Sequence, residues 1–250
     1  MGSLTIVGLG PARPEHLTAE AVAALRQAPP GARAYGLAHA RQIAASVAPD
    51  LEVGSLDYLY SLPGVDRPTL YRDLASMLLR RAFEDDCDVL YLVAGSPLFI
   101  NDAVLLLRAD HRPVRLIHGL SFVDLVLDQV LWTGHRGLQL YSAWNIAFDG
   151  IAINPAAPAL LCQLGEFSRG AEALQTGGST SMLASLRDRL LVDYPPEHLV
   201  SVLYSSGHPD YRSCSRSASL ADLADEEVPV YSNLWVPALS GPAIESRLAP

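Results

Sequence analysis

The sequence predicts an α/β protein of two lobes, because apolar runs of strand length alternate with segments of helical periodicity along most of its 250 residues. The run DVLYLVAG at 88–95 is almost entirely apolar, which is typical of a strand that is buried on both faces of a parallel sheet. After about residue 136 the apolar runs shorten, and turns rich in proline and glycine separate them. We therefore expect one α/β lobe over 1–120 and a second over 121–250.

The first lobe is predicted as a regular alternation of strands and helices. Strand 3–8 is an apolar run that ends at a glycine, and helix 15–27 follows it with apolar residues at helical spacing and Thr18 as a start signal. Pro68 fits the first turn of a helix over 67–84, because a backbone N–H at that position has no partner inside the helix. The other predicted elements are strands near 33–37, 51–56, 88–95 and 113–117, and helices over 38–47, 98–108 and 121–131.

The second lobe is predicted from shorter signals. A turn at 154–160 leads into the strand ALLCQL, and a stretch rich in glycine, serine and threonine precedes a helix over 182–192. Two further apolar runs, LVSVLYS and VPVYSNLWV, predict strands at 199–205 and 228–236. These elements predict a second α/β lobe.

Composition excludes several classes of protein. Half of the residues are hydrophobic and 18% are charged, which is typical of a folded globular chain. No apolar stretch is long enough to span a bilayer and the N-terminus lacks a signal-peptide pattern, so we expect a cytoplasmic protein without a membrane partner. The three cysteines are scattered and the seven histidines lack ligand spacing, so we expect neither a disulfide framework nor a metal site.

All 18 basic residues are arginine, and this removes two kinds of chemistry. Without lysine the chain cannot form the Schiff base of a pyridoxal phosphate enzyme or supply the lysine of a P-loop. The net charge of −9 argues against binding to a nucleic-acid backbone. We therefore expect no nucleic-acid partner.

The first loop, GLGPAR at 8–13, raises the question of a nucleotide phosphate site. A Gly-x-Gly turn after a strand is typical of dinucleotide-binding folds. Arg13, however, stands where such folds have a third glycine, and no acidic residue closes a second strand about twenty residues on. A structural turn without a ligand is the alternative, and the loop alone does not decide between them.

Three motifs occur in the order and spacing of one known family. They are GLGPARPEHLTAEAVAAL, VAGSPLF and LIHGLSFVDLVL, and the later segments RLLVDYPPEHLVSVLYS and SNLWVPAL fit the same pattern. The chain resembles the tetrapyrrole methylase superfamily, class III of the S-adenosylmethionine-dependent methyltransferases, over nearly its whole length. The resemblance implies a two-lobed α/β fold, a homodimer, and S-adenosylmethionine as the cofactor in a cleft between the lobes.

The resemblance also implies which residues bind the cofactor. The opening loop would lie near the methyl acceptor, where its glycines let the acceptor approach the backbone. Three positions depart from the family pattern, because Ala12 replaces a glycine, Ser96 an acidic residue or histidine, and His118 a proline. The implied cofactor-binding residues are Leu9, Pro11, Gly95, Ser96, Pro97, Phe99, Ser121 and Phe122 in the first lobe, and Gln163, Tyr204, Asn233 and Leu234 in the second.

Two subgroups of this superfamily resemble the chain equally. HGLSFVDLVL, GLQL and DYPPEH are similar to the methylase half of proteins that are fused to MazG-type nucleotide pyrophosphatases. GSLTIVG, and Tyr60 followed by RPTLYRDLASMLL, resemble the borosin-type peptide-backbone N-methyltransferases.

Arg67 and Tyr71 are four residues apart at the start of a predicted helix, so both side chains can point to one side. An amide nitrogen is a poor nucleophile until its proton leaves and charge builds on the oxygen, which an arginine and a tyrosine could promote. The borosin resemblance implies these roles for Arg67 and Tyr71, with Tyr60 or Tyr58 as a further member, although Ala94 stands where that subgroup has another tyrosine. The alternative is a tyrosine on the core-facing stripe and an arginine in solvent.

Three functions therefore remain open. The first is a methyltransferase that N-methylates backbone amides of a separately encoded ribosomal peptide, since no substrate-like tail follows VPALSGPAIESRLAP. The second is a methyltransferase of a tetrapyrrole or another small molecule. The third is a non-catalytic methylase-like module that binds the cofactor or a partner, which the altered loops would favour.

Overall fold

The computed structural model describes residues 2–11, 13–60, 66–99, 101–130, 132, 137–167, 180–204, 213–229 and 232–239. These residues fall into two compact units, the first ending at Leu125 and the second beginning at Val126. Within them each unit contains one five-stranded sheet together with helices. The predicted α/β class is confirmed.

The first sheet is entirely parallel. Its strands are β1 (Leu4–Gly8), β2 (Arg33–Gly36), β3 (Val53–Ser55), β4 (Val89–Val93) and β5 (Val114–Ile117). Their order is β3-β2-β4-β1-β5, so Leu4 lies opposite both Val89 and Val114. All five residues of β4 are buried, as its apolar run predicts for a central parallel strand.

Helices cover both faces of this sheet. They are α1 (Ala19–Arg26), α2 (Ala38–Val47), α3 (Asp57–Tyr60), α4 (Arg67–Phe83), α5 (Asp102–Ala109) and α6 (Phe122–Gln129), which runs on into the second unit. Leu90 and Leu92 of β4 pack with α1 and α2, whereas Val89, Tyr91 and Val93 pack with α4 and α5. The alternation of side chains along β4 therefore supplies two separate cores.

Two helices begin later than the sequence predicts, because a side chain caps each of them. Thr18 Oγ1 accepts the backbone N–H of Ala21 at 3.1 Å, so α1 begins at Ala19, and Pro14–His16 form a separate 3-10 turn. Asn101 Oδ1 likewise accepts a backbone N–H at 3.1 Å, so α5 begins at residue 102 instead of 98. The loops after β1 and β4 are longer as a result.

The second sheet is mixed. Its strands are β6 (Gln139–Ser142), β7 (Ala159–Cys162), β8 (Leu199–Tyr204), β9 (Cys214–Ser219) and β10 (Ser232–Val236), in the order β6-β7-β10-β8-β9. β6 and β7 are parallel, β10 is antiparallel to β7 and to β8, and β9 is antiparallel to β8. The ends of β6, β7 and β8 and the start of β10 therefore lie at one edge of the sheet. We call it the polar edge, because Ser142, Gln163, Tyr204, Ser232 and Asn233 lie there.

A core of the second unit lies on one face of this sheet. It includes Leu161 of β7 and Leu234 of β10, together with residues of the surrounding helices and of a 3-10 segment, Leu220–Asp225. The helices are α7 (Ala143–Phe148), α8 (Leu164–Phe167) and α9 (Thr180–Leu190). In the part of the chain that the structure describes, no helix is long and apolar enough to cross a membrane, and no cluster of side chains is suited to hold a metal ion.

Tyr194 gives the stability of the second unit a dependence on alkaline pH. It is 2% exposed, its hydroxyl has no hydrogen-bond partner among the described residues, and burial, with the nearby Asp193, raises the pKa of Tyr194 to about 12. In the unfolded chain the phenol ionises near its ordinary pKa of 10, so rising pH favours the unfolded state between 10 and about 12. Burial also raises the pKa of the Cys162 thiol from 9.0 to about 12. Ionisation of this thiol in the unfolded chain therefore lowers the free energy of unfolding further as the pH rises above 9.

We therefore expect the free energy of unfolding to fall over this window, and Tyr194→Phe to reduce the fall. At neutral pH the variant should be as stable as the wild type or more stable, because it removes a buried hydroxyl that lacks a partner. Urea denaturation of both proteins at neutral and alkaline pH measures the effect. A variant that is clearly less stable at neutral pH would contradict it.

Candidate active site

Three loops meet at the carboxyl edge of the first sheet. They follow the adjacent strands β4, β1 and β5, and this edge is where ligands bind in open α/β sheets. The N–H of Gly95 donates to the carbonyl oxygen of Gly10 at 2.7 Å, and the N–H of Leu9 donates to that of Val93 at 2.9 Å. The opening loop is therefore bonded directly to the loop after β4.

Gly8 and Gly119 are required because these loops pack backbone against backbone. A Cβ on Gly119 would lie 2.5 Å from the carbonyl oxygen of Gly95 and 2.7 Å from the carbonyl carbon of Gly8. A Cβ on Gly8 would lie 2.6 Å from the backbone nitrogen of Gly119. Neither position has room for a side chain.

Gly95 is a glycine for another reason. Its φ of +79° lies in the left-handed region, which disfavours other residues. The residue is buried, yet apart from its chain neighbours no described heavy atom lies within 4 Å of the place a Cβ would take. A small ligand could therefore approach the backbone of this loop closely.

Thr18 links the opening segment to the loop after β5. Its hydroxyl donates to the carbonyl oxygen of His118 at 3.2 Å. The Thr18 hydroxyl oxygen also caps α1 by accepting the backbone N–H of Ala21. All three loops are therefore held to one another by the first unit itself.

The side chains of the first unit that the sequence predicts as cofactor-binding lie around this junction. The hydroxyls of Ser96 and Ser121 each accept a backbone N–H two residues further on, at 3.4 and 3.2 Å. The rings of Phe99 and Phe122 meet edge to face with centroids 6.0 Å apart, which joins the loop after β4 to the start of α6. Of the remaining predicted residues, Leu9 and Pro97 are buried and Pro11 is half-buried.

His16 packs against the opening loop. A Cβ on Gly10, which has a φ of +73°, would lie 2.5 Å from the Cβ of His16. Burial, and then the nearby Arg13, lowers the pKa of His16 from its ordinary value of 6.5, and its Nδ1 has no partner among the described residues. The imidazole beside the loop is therefore neutral at neutral pH.

Polar residues cluster at the polar edge of the second sheet. Gln163 follows β7 with a φ of +60°, which is unusual for a residue other than glycine. Its backbone N–H donates to Oδ1 of Asn233 at 3.3 Å, and the Ser142 hydroxyl donates to its Oε1 at 3.4 Å. Asn233, which is 3% exposed, therefore holds the turn at Gln163. Tyr204 is half-buried at the end of β8, and Leu234 lies in the core.

Two further residues at this edge were not predicted as functional. Oε1 of Gln129 and Oγ of Ser232 are buried, and neither has a hydrogen-bond partner within the described residues. The only signal in the sequence is the polar pair Ser232-Asn233 directly before the apolar run LWV. Because buried polar atoms are nearly always hydrogen-bonded, such atoms call for a partner, and a buried water molecule is the simplest one.

The predicted catalytic pair lies at the start of α4. Asp66 caps this helix by accepting the N–H of Thr69 at 2.7 Å, and this hydrogen bond lowers the pKa of the Asp66 carboxyl. Arg67 is the first residue of the helix and Tyr71 lies one turn later, so their backbone positions share one side. Tyr71 is half-buried against the core that α4 forms with β4, and the Arg67 side chain lies outside the described residues.

Tyr58, the further predicted member, contacts α4 at Met77. Its side chain is 55% exposed, and its hydroxyl lies 3.9 Å from the sulfur of Met77. Met77 lies ten residues beyond Arg67 on α4, roughly 15 Å along the helix axis. Tyr60 ends α3, and its side chain lies outside the described residues.

The chain matches one family model and is similar to two curated proteins over most of its length. A family model described as Tetrapyrrole (Corrin/Porphyrin) Methylases matches residues 3–138. The chain is 28% identical over 259 residues to a methyltransferase/ribosomally synthesized type I borosin cyclic peptide precursor of Serendipita vermifera subsp. bescii, covering 98% of this chain and 60% of that protein. It is 26% identical over 260 residues to a type II counterpart of Phlebiopsis gigantea, covering 96% and 43%. The chain thus spans about half the length of these relatives.

The solved structures that resemble the chain share its fold. Uroporphyrin-III C-methyltransferase from Thermus thermophilus matches with a TM-score of 0.64 at 20% identity, covering 100% of this chain and 97% of that one. A crystal structure of the same enzyme complexed with S-adenosyl homocysteine matches with a TM-score of 0.60 at 18% identity, covering 94% and 97%. At these identities the likeness concerns the fold alone.

Proposed function

The chain belongs to the Tetrapyrrole (Corrin/Porphyrin) Methylases, a family of S-adenosylmethionine-dependent methyltransferases, and from this premise we propose that it methylates backbone amide nitrogens of a ribosomal peptide. The expectations of a methyltransferase and of S-adenosylmethionine as its cofactor are confirmed at the level of the family. The acceptor is the proposed part. It is carried by the similarity to borosin methyltransferases over 98% of this chain, including the stretch that holds Arg67 and Tyr71.

The described residues fit such a cofactor. The space beside Gly95 allows a ligand to approach the backbone of the loop after β4 closely. When bound, S-adenosylmethionine supplies a methyl group on a positively charged sulfur. The residues that the sequence predicts as cofactor-binding remain the proposed binding set.

In this proposal the pair on α4 prepares the acceptor. The oxygen of Tyr71 takes the proton of the amide nitrogen after the hydroxyl has passed its own proton to water, and Arg67 stabilises the negative charge that then builds on the amide oxygen. The half-burial of Tyr71 against the core restricts its side chain, which keeps a reacting hydroxyl in place. Capping by Asp66 fixes the first turn of α4, on which Arg67 lies.

A small-molecule acceptor is the second candidate. Ala94 stands where the borosin subgroup has a further tyrosine, so one group of the peptide-methylating set is missing from its usual place. Within this candidate, Ser96 weighs against the enzymes of the corrin and haem pathways, because an acidic residue at this position would have favoured them. A homodimer, a peptide supplied as a separate chain and a cytoplasmic location remain predictions.

Mass spectrometry of a candidate precursor peptide co-expressed with this protein tests the acceptor. We expect the peptide to gain whole methyl groups, and fragmentation to place them on backbone nitrogens. Arg67→Met serves as the matched control, with unmodified peptide as its expected product. A peptide that stays unmodified while a tetrapyrrole incubated with the protein gains a methyl group would contradict the peptide proposal and favour the second candidate.

A further inference from the structure

Two large aromatic side chains are exposed on the outer side of α7. Trp144 is 42% and Phe148 is 46% exposed, and their rings contact each other with centroids 4.6 Å apart. They lie one helical turn apart and so share one side of the helix, whereas Ala143 and Ile146 are buried in the core of the second unit. The two rings therefore form one continuous apolar surface, which we call the aromatic pair.

The aromatic pair adjoins the polar edge of the second sheet. α7 begins directly after β6, which ends at Ser142, and the Ser142 hydroxyl donates to Oε1 of Gln163. Trp144 follows Ser142 closely along the chain, so the pair begins beside Gln163, one of the proposed cofactor-binding residues. A chain molecule that is bound on the two rings can therefore reach this edge.

The size and the charge of this surface favour a peptide over other occupants. The exposed fractions of 42% and 46% correspond to roughly 200 Å² of ring surface. A stable dimer buries about 800 Å² on each partner, so the pair alone is too small to hold a second copy of the chain. Asp149 is exposed at the end of α7 and bonded to Asn145, so an acidic small molecule on the rings would meet a carboxylate of like charge.

We propose that Trp144 and Phe148 bind apolar side chains of the acceptor peptide. Tryptophan is among the residues that contribute most to the binding energy of interfaces, and two adjacent rings can cover one or two apolar side chains of an extended peptide. Methylation of a backbone nitrogen removes its N–H donor, so a surface that binds through rings can hold the peptide before and after the reaction. The inference rests on the peptide acceptor of the proposed function and adds the surface on which that peptide docks.

Fluorescence anisotropy with two labelled, uncharged peptides tests the inference, in the presence of S-adenosylhomocysteine. One is a capped decapeptide of alternating valine and glycine, whose apolar side chains all lie on one side when the peptide is extended. The other carries serine in place of valine. We expect the wild type to bind the valine peptide at least about tenfold more tightly than the serine peptide. Trp144→Ala and Phe148→Ala should each weaken binding of the valine peptide about tenfold.

The control substitutions remove apolar side chains that are equally exposed. Leu105 on α5 is 67% exposed and Val192, which follows α9, is 73% exposed, so Leu105→Ala and Val192→Ala should keep the wild-type affinity for the valine peptide. Trp144→Phe, which retains a ring, should keep most of that affinity. All variants should melt close to the wild-type temperature and bind S-adenosylhomocysteine as the wild type does, because the substituted side chains are exposed.

The other outcomes decide against a named part of the proposal. Alanine variants of the pair that keep the wild-type affinity, or a wild type that does not prefer the valine peptide, would overturn the inference and leave the acceptor open. A wild-type dimer that Trp144→Ala converts to a monomer in light scattering would also overturn it, because a second copy would then cover the rings. A wild type that binds the valine peptide through the pair but leaves every co-expressed peptide unmodified would overturn only the peptide acceptor.

Discussion

Tyr71→Phe is expected to reduce peptide methylation on the order of 100- to 1000-fold while the affinity for S-adenosylmethionine stays within a few-fold. The change keeps the ring that packs against the core and removes only the hydroxyl. If the phenolic oxygen, having lost its own proton to water, takes the amide proton, the variant loses stabilisation of the transition state and not of substrate binding. Turnover then falls more than the Michaelis constant changes. Single-turnover mass spectrometry together with calorimetry separates the two effects.

Arg67→Met should lower turnover to a similar extent, because it removes the positive charge aimed at the amide oxygen. Arg72→Met is its control on the same helix, since Arg72 bonds to the carbonyl oxygen of Pro68 and the hydroxyl of Thr69. Tyr35→Phe is the control for the tyrosine, because Tyr35 packs against the same core from β2. Near-normal turnover in Tyr71→Phe would make Tyr71 a packing residue and move the proposal to small-molecule acceptors.

Gly119→Ala is expected to destabilise the first unit by about 3 kcal/mol or more, because its Cβ would lie 2.5 Å from the carbonyl oxygen of Gly95. Gly95→Ala should behave differently, since its cost is a positive φ of +79°, about 1 to 2 kcal/mol, and its Cβ meets open space. The added methyl group would occupy the room proposed for the cofactor, so we expect a folded protein whose affinity for S-adenosylhomocysteine falls at least about tenfold.

Urea denaturation and calorimetry on both alanine variants measure this contrast. Equal stability of Gly119→Ala and the wild type would mean that the three loops do not pack as closely as described. A Gly95→Ala protein with the full affinity for the cofactor would exclude this space from the binding site.

The elements that could be predicted from sequence are those whose local pattern and tertiary setting agree. β4 is buried on both faces and reads as one apolar run, and α4 has both a helical period and a proline in its first turn. β9 was missed, because CSRSAS is an exposed strand without apolar alternation that exists through its pairing with β8. Tertiary pairing overrides local propensity in such a strand.

In the candidate site too, some residues can be recognised from the local sequence, whereas others are brought together only by the tertiary structure. The glycines at 8, 10 and 95 and the spacing of Arg67 and Tyr71 are visible in the sequence, since each is set by a local loop or a single helix. Gln129 and Ser232 are not, because they come together at Tyr204 only through the docking of α6 and the register between β8 and β10. Unpaired buried atoms are a property of the folded packing and leave no pattern along the chain.

β1 occupies an inner position in the first sheet although it precedes both of its neighbours along the chain by many residues. Its two neighbours, β4 and β5, end at Val93 and Ile117, so the segment LTIVG has no sheet partner until about 85 further residues have been synthesised. At ordinary translation rates this interval lasts on the order of ten seconds, and an apolar strand without partners can associate with other nascent chains during it. Parallel pairing between such distant segments is also slow to form. The yield of native protein should therefore depend on the pace of translation and on chaperones that cover short apolar segments.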